Sequence, residues 1–250
     1  MKKSTAYLLV VHGSRSVNYA QQLRQLAKQM RSYLSSQNRS IQFTTAYLEL
    51  AEKPLHQEII DLTTEYALQG YKCLKVLPLF LLSGTHVLQD IPEQVALARV
   101  NSPLSIELMT SLGKSPYLLN FLRSQFLPFN NSEKILLAHG TRFKKGNEEL
   151  IKIAEKLEAK VAYWSIEPKI THVIKQIHTI SSESSITILP YFLFTGRITD
   201  TIVSTVNDLP QIITGKVNML PTLAQNEEFS HLIAQYMWNS EKVDELTAIG

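Results

Sequence analysis

Two histidines stand where a ligand or a reacting group belongs: His12, closing the apolar run "YLLVVHGSR", and His86, in "VLPLFLLSGTHVLQD". Neutral imidazole binds Fe, Co, Ni and Zn and changes protonation near neutral pH, so a facing pair suits holding a divalent ion and receiving protons. A lone histidine at a strand end is more often a hydrogen-bonded structural residue; the pairing is what points to function. A third, His139 in "KILLAHGTRF", has the context of His12 but no counterpart of His86. Aligning "LFLLSGTHVLQD" with "YFLFTGRITDTI" sets Gly84 against Gly196 and His86 against Ile198, with Arg197 beside it. His139 is therefore read as structural.

The elements that must position the pair follow from periodicity. After the first apolar run, residues 19–34 carry Leu23, Leu26, Ala27 and Met30 at helical spacing; residues 41–50 are β-branched and aromatic enough for a strand. Residues 54–70 read as a helix with Pro54 at its start and Gly70 at its end, and residues 72–82 as a strand apolar enough to be buried on both faces. A helix over 87–100, a strand over 104–110 and a helix over 115–126 complete a βαβαβαβα order, which implies a parallel sheet wrapped by helices.

The second half repeats the landmarks in order. "HGSR" returns as "HGTR", "AYLELAEKPL" as "AYWSIEPKI", and "VLPLFLLSG" as "ILPYFLFTG". The boundary is expected in "LPFNNSE", whose Pro, Asn and Ser cluster marks a linker, giving domains of 1–129 and 130–250. The fold class is α/β: two flavodoxin-like domains with parallel four-stranded sheets related by an internal repeat, the second with a degenerate site. In a sheet of strand order 2-1-3-4 the ligand crevice lies beyond the carboxyl ends of the first and third strands. His12 ends the first and His86 follows the third, so both are expected at one crevice.

Composition removes several classes. Hydrophobic residues at 44% and charged ones at 19% describe a soluble globular chain, with no apolar run long enough to span a bilayer. The start, "MKKSTAYLLVVHGSR", reads as a first strand rather than a signal peptide. The single cysteine, Cys73, builds neither a disulfide nor an iron–sulfur site and fits a cytoplasmic compartment. A net charge of +3 without a basic block does not suggest nucleic acid, and no phosphate-cradling glycine loop suggests a nucleotide. A hydrolase lacks its nucleophile, since Gly-x-Ser-x-Gly is absent.

"VVHGSR", "AYLELAEKPL" and "VLPLFLLSGTHVLQDIP", taken together and in order, resemble the motifs of the sirohydrochlorin chelatases, the CbiX and SirB proteins, in their long two-repeat form. The resemblance implies two domains facing each other across a cleft, and insertion of a divalent metal, Fe2+ favoured over Co2+, into a sirohydrochlorin-type tetrapyrrole without ATP. It places His12 and His86 as metal ligands and Glu49 as a carboxylate handling metal or protons. Glu52 lies in the same acidic segment, with a helix N-terminal carboxylate as its alternative role; Lys53 intervenes before Pro54, a departure from the family pattern that leaves the local turn open. Gly13, Ser14, Arg15, Gly84 and Thr85 fall on the substrate side, where backbone N–H groups and Arg15 suit carboxylates; Arg15 is alternatively a surface or ion-paired residue. Neither a histidine-rich tail nor a cluster-binding cysteine motif is present, which favours the siroheme-pathway type, acting as a monomer. The rival readings are a cobaltochelatase of cobalamin biosynthesis and a carrier that binds metal or tetrapyrrole without turnover.

Overall fold

The structure is a computed structural model that describes residues 5–214 and 216–247, with the backbone alone for 241–247. The most apolar runs become central strands. β1 (Thr5–Val11) and β3 (Cys73–Pro78) are buried at every residue but their first, as burial on both faces of a parallel sheet requires. β2 (Gln42–Tyr47) and β4 (Ser105–Leu108) flank them in the order β2-β1-β3-β4 with all pairs parallel. The second sheet repeats this as β6-β5-β7-β8, from β5 (Glu133–Ala138), β6 (Lys160–Tyr163), β7 (Ile186–Pro190) and β8 (Val217–Met219). The expected order is thus present twice.

Helices cover the sheets with the faces their spacing dictates. α1 (Val17–Ser36) buries Leu23, Leu26, Ala27, Met30 and Leu34, and the Ser16 hydroxyl caps its start by accepting the Tyr19 N–H. α2 (Leu55–Leu68) starts after Pro54 and gives way to Gly70 at φ 89°, a conformation glycine adopts without a Cβ penalty. With α3 (Ile91–Asn101) it closes a core of Leu8, Val10, Ile59, Leu74, Val76, Ile91 and Val95. Each such side chain, fully buried, contributes about 1.5–3 kcal/mol of transfer free energy. α4 (Leu118–Phe126) ends the first half, and the second follows with α5 (Lys144–Lys156), α6 (Ile170–Ile180), α7 (Arg197–Asn207), a single turn α8 (Gln211–Thr214) and α9 (Glu227–Thr247). No helix among the described residues is long and apolar enough to cross a membrane.

Two strands are shorter than their apolar runs. β2 stops at Tyr47 and β3 at Pro78, and the residues beyond them leave the sheet as loops while still bonding one side to β1: Leu48 N–H donates to the Val11 carbonyl (2.8 Å) and Leu79 N–H to the Val10 carbonyl (2.8 Å).

The compact units differ from the division at 129/130 that the repeat suggests. One comprises residues up to Pro116 together with those from Ser230 onward; the other is Tyr117–Phe229. The last helix of each half therefore belongs to the other half's unit. In the first unit α9 is tied down by named contacts. The Tyr7 hydroxyl donates to the Met237 carbonyl (2.8 Å), the buried Lys75 ammonium to the Ser240 carbonyl (3.0 Å), and Gln235 to the Tyr33 hydroxyl (2.8 Å), while His231 stacks on Tyr33 at 4.1 Å. Lys75 also lies 3.5 Å from Glu107, which keeps its buried charge compensated.

A fragment ending at residue 129 lacks α9 and so leaves the α9-facing groups of Tyr7, Tyr33 and Lys75 without these partners. It is expected to lose the cooperative thermal transition of the full chain, measured by circular dichroism; a sharp transition in the fragment would contradict this packing.

Candidate metal centre

β1 delivers His12 to the carboxyl edge of the first sheet and Gly13 turns the chain there. Gly13 has φ 103°, and a Cβ at this position would sit 2.0 Å from the Glu49 carbonyl oxygen, so only glycine fits. This close approach lets the Glu49 N–H reach the His12 carbonyl at 2.9 Å, continuing the β1–β2 ladder one residue past the strand and bringing Glu49 beside His12. Leu50, at φ 59°, then bends the chain away. A left-handed leucine costs about 1–2 kcal/mol, so the surrounding contacts must hold it. Tyr19 underpins the turn. Burial pushes its phenol up to about 12, although a backbone hydrogen bond at Gly13 acts the other way, and its ring meets Tyr47 edge-on at 6.2 Å.

His86 arrives from the other side of the crevice. The segment "SGTHVLQDIP" after β3 enters α3 through one turn of π-helix, His86–Asp90, closed by the Ile91 N–H donating back to the His86 carbonyl. Two sequence features account for that turn. Ile91 lies seven positions after Gly84, whereas Ile202, which fills the matching place in the second core, lies six after Gly196, so the first copy accommodates one extra residue. Pro92 has no N–H, and in a continuous α-helix its ring would meet the Leu88 carbonyl, which favours widening the preceding turn. The second copy, with Val203 in that place, runs as ordinary α-helix from Arg197.

The result is one compact donor set within the first unit. His12 Nε2 lies 3.8 Å from Glu49 Oε2, His86 Nε2 lies 3.8 Å from Glu49 Oε1, and the imidazoles meet edge to face with centroids 4.9 Å apart. One ligand atom from each of the three residues falls within 4.8 Å of the others. A first-row ion with bonds of about 2.0–2.2 Å brings its ligand atoms to roughly 3–3.5 Å of one another, a contraction that side-chain torsions supply. Both Nε2 atoms are available for it, because each Nδ1 faces an acceptor: the Gly13 carbonyl for His12 (3.1 Å) and the Asp90 carboxylate for His86 (2.6 Å). Two imidazoles and one carboxylate leave coordination positions open, as in a site that passes its ion on rather than a closed structural one. With His12 and Glu49 side chains about half exposed (49% and 48%) and His86 less so (31%), the set is reachable from solvent.

The other expected residues fall as follows. Ser14 Oγ accepts the Ser16 N–H at 3.1 Å; Arg15 is exposed and makes no hydrogen bond or ion pair among the described residues. The Gly84 carbonyl accepts from Val87 and Leu88, starting the turn that carries His86, and Thr85 is exposed beside it. Glu52 is not brought to the histidines. It lines a separate groove of about 660 Å³ with Arg24, Tyr47, Lys53 and Asp61. His139 repeats the His12 turn, with Nδ1 2.9 Å from the Gly140 carbonyl and the Ser165 N–H on the His139 carbonyl at 2.8 Å. Ser165 thus occupies the place of Glu49 and its hydroxyl folds back onto the His139 carbonyl, while Ile198 stands for His86. Among the described residues no second donor set assembles around His139. Sequence reasoning missed Asp90 and Phe80, whose ring packs on His86 at 5.9 Å. The spacing His-x-x-x-Asp at a helix start was the available signal for the first; nothing in sequence marked the second.

A duplicated, doubly wound α/β protein with, among the described residues, a compact His/Glu donor set in the first copy alone is the class these features define. The chain belongs to the CbiX family, whose model matches residues 6–127 and again 133–239, one match per repeat. No curated protein matches it. Among solved structures it is similar to SirB from Bacillus subtilis with Fe3+, at 21% identity and a TM-score of 0.73, covering 96% of this chain and 98% of that one. It is also similar to the sirohydrochlorin chelatase SirB from Bacillus subtilis subspecies spizizenii in complex with cobalt (21% identity, 94% and 93% covered, TM-score 0.68). A third is CbiX, described as the terminal enzyme for biosynthesis of siroheme in denitrifying bacteria (18% identity, 94% and 98% covered, TM-score 0.60). At these identities the likeness establishes the fold, and the repeated family match bears out the resemblance read from the three motifs.

Gly13→Ala is expected to lower the melting temperature and abolish Co2+ binding measured by absorbance, since the positive φ alone costs about 1–2 kcal/mol before the clash with Glu49 is relieved. Tyr19 sets an alkaline limit. The unfolded chain loses this proton near the ordinary tyrosine value of about 10 and the folded chain only near 12, so between these values the folded state holds more protons and stability falls as pH rises. Tyr19→Phe is expected to make the decline of denaturation midpoint over that window shallower.

Proposed function

We propose that this chain is a sirohydrochlorin chelatase that exchanges the two inner N–H protons of the tetrapyrrole for one divalent ion, without ATP. The observation that carries the reading is the convergence of His12, Glu49 and His86 at the crevice beyond β1 and β3. Membership of the CbiX family supports it, as do the iron and cobalt named with the SirB structures.

The ion, a substrate here, docks on the Nε2 atoms of His12 and His86 with Glu49 bridging the space between them. Open coordination positions let pyrrole nitrogens replace protein ligands one at a time. Each N–H proton that leaves passes to a group the ion has just vacated, imidazole or carboxylate, and from there to water; no electron is transferred, so charge balances as one M2+ for two H+. The half-exposed set suits this exchange, because a closed four-ligand site would hold the ion too firmly. Arg15, exposed and without an ion-pair partner among the described residues, is the side chain for a substrate carboxylate, with the Gly13 and Ser14 N–H groups ahead of α1 and with Gly84 and Thr85 across the crevice.

Iron is the favoured ion and siroheme the favoured product, with cobalt and the cobalamin branch as the alternative; the first repeat supplies the chemistry and the second the degenerate scaffold. Cytoplasmic location and a monomeric state belong to the same reading. Purified protein incubated with excess sirohydrochlorin and Fe2+ or Co2+, followed by absorbance, is expected to metallate many rings per chain. A carrier stops at one. His12→Ala and His86→Ala are expected to lower the rate at least a hundredfold and His139→Ala to leave most of it; a fully active His86→Ala chain would refute the assignment.

A further inference from the structure

Asp90 has no part in the donor set, yet its carboxylate makes the shortest polar contact to it, 2.6 Å from His86 Nδ1, against 3.1 Å for the neutral carbonyl that faces His12 Nδ1. A carboxylate only accepts, so His86 must carry its proton on Nδ1 and present the Nε2 lone pair to the ion. The contact is built rather than incidental. The turn that carries both residues is the π turn that accommodates the extra residue ahead of Pro92, and the second copy, which lacks that residue and that proline, has Ile198 where His86 would stand. Phe80 supports the His86 ring on another side. A ligating histidine whose remote N–H is held by a carboxylate has a fixed tautomer, a fixed ring plane and a more basic metal-binding nitrogen, and loss of such a partner typically weakens metal affinity about 10–100-fold.

We propose that Asp90 is a positioning residue that makes His86 the anchoring ligand of the incoming ion, acting through the Nδ1 hydrogen bond and not through contact with metal or ring. This rests on the metal-site reading above. Asp90→Asn retains an acceptor of similar shape and removes the charge; Asp90→Ala removes both.

The test is Co2+ titration of wild type, Asp90→Asn, Asp90→Ala and His86→Ala, followed by ligand-field absorbance, with the ring tautomer of His86 read from 15N-resolved imidazole spectra of the metal-free chains. Asp90→Ala is expected to weaken Co2+ binding about 10–100-fold and to shift His86 from the Nδ1–H form towards the Nε2–H form. Asp90→Asn is expected to keep the Nδ1–H form and to fall between wild type and Asp90→Ala in affinity. Asp90→Ala binding Co2+ within twofold of wild type, with the tautomer unchanged, would overturn this proposal alone. Wild type that binds no Co2+, or His86→Ala that binds it equally well, would overturn it together with the metal-site reading.

Discussion

Everything at the crevice depends on β1 pairing in parallel on both sides and on that pairing running past the strand ends. Backbone bonds from Leu48 and Glu49 to Val11 and His12 on one side, and from Leu79 to Val10 on the other, fix where the two neighbouring chains leave the sheet. Because these bonds lie on backbone atoms, they do not depend on the side chains of Leu48, Glu49 and Leu79. The approach that makes them possible has no room for a Cβ at Gly13, so one glycine sets the distance between a histidine and a carboxylate that belong to different strands.

The architecture was legible because burial on both faces forces nearly continuous apolar strands, and because the chain states its pattern twice. Parallel pairing in both sheets followed from the βα alternation, and the order 2-1-3-4 taken for a four-stranded sheet is the one both adopt. Strand ends did not follow: Leu50 and Leu82 are as apolar as the strand residues before them, but β1 turns away at Gly13 and leaves them no ladder to join, and residues 48–50 and 79–82 serve as loops instead. The convergence of His12 and His86 followed from topology alone, since both sit after strands that flank the crevice. Glu49 came from the family motif, and Asp90 was missed, because its role depends on a widened helical turn that hydrophobic periodicity does not register. The compact units were hidden for a similar reason. Repeat boundaries are written in motifs, whereas the assignment of α4 and α9 to units is decided by packing at long sequence separation.

The two copies form an internal comparison of scaffold with site. Both retain the His-Gly turn and the backbone bond onto the histidine carbonyl. Only the first has a carboxylate two residues after the edge strand, a histidine after the third, and the extra residue that carries the π turn. The turn belongs to the fold; the second copy has Ser165 in the place of Glu49, Ile198 in the place of His86, and a continuous helix in the place of the π turn.

The placement of α9 has a consequence for how the chain is made. The unit that bears His12 and His86 begins with β1 and is completed by α9, with the whole of the other unit synthesised in between. Contacts at such separation close late, because the loop entropy must be met before they form. A nascent chain can therefore finish the intervening unit first, so the unit that holds His12 and His86 attains its final packing only once α9 has been made.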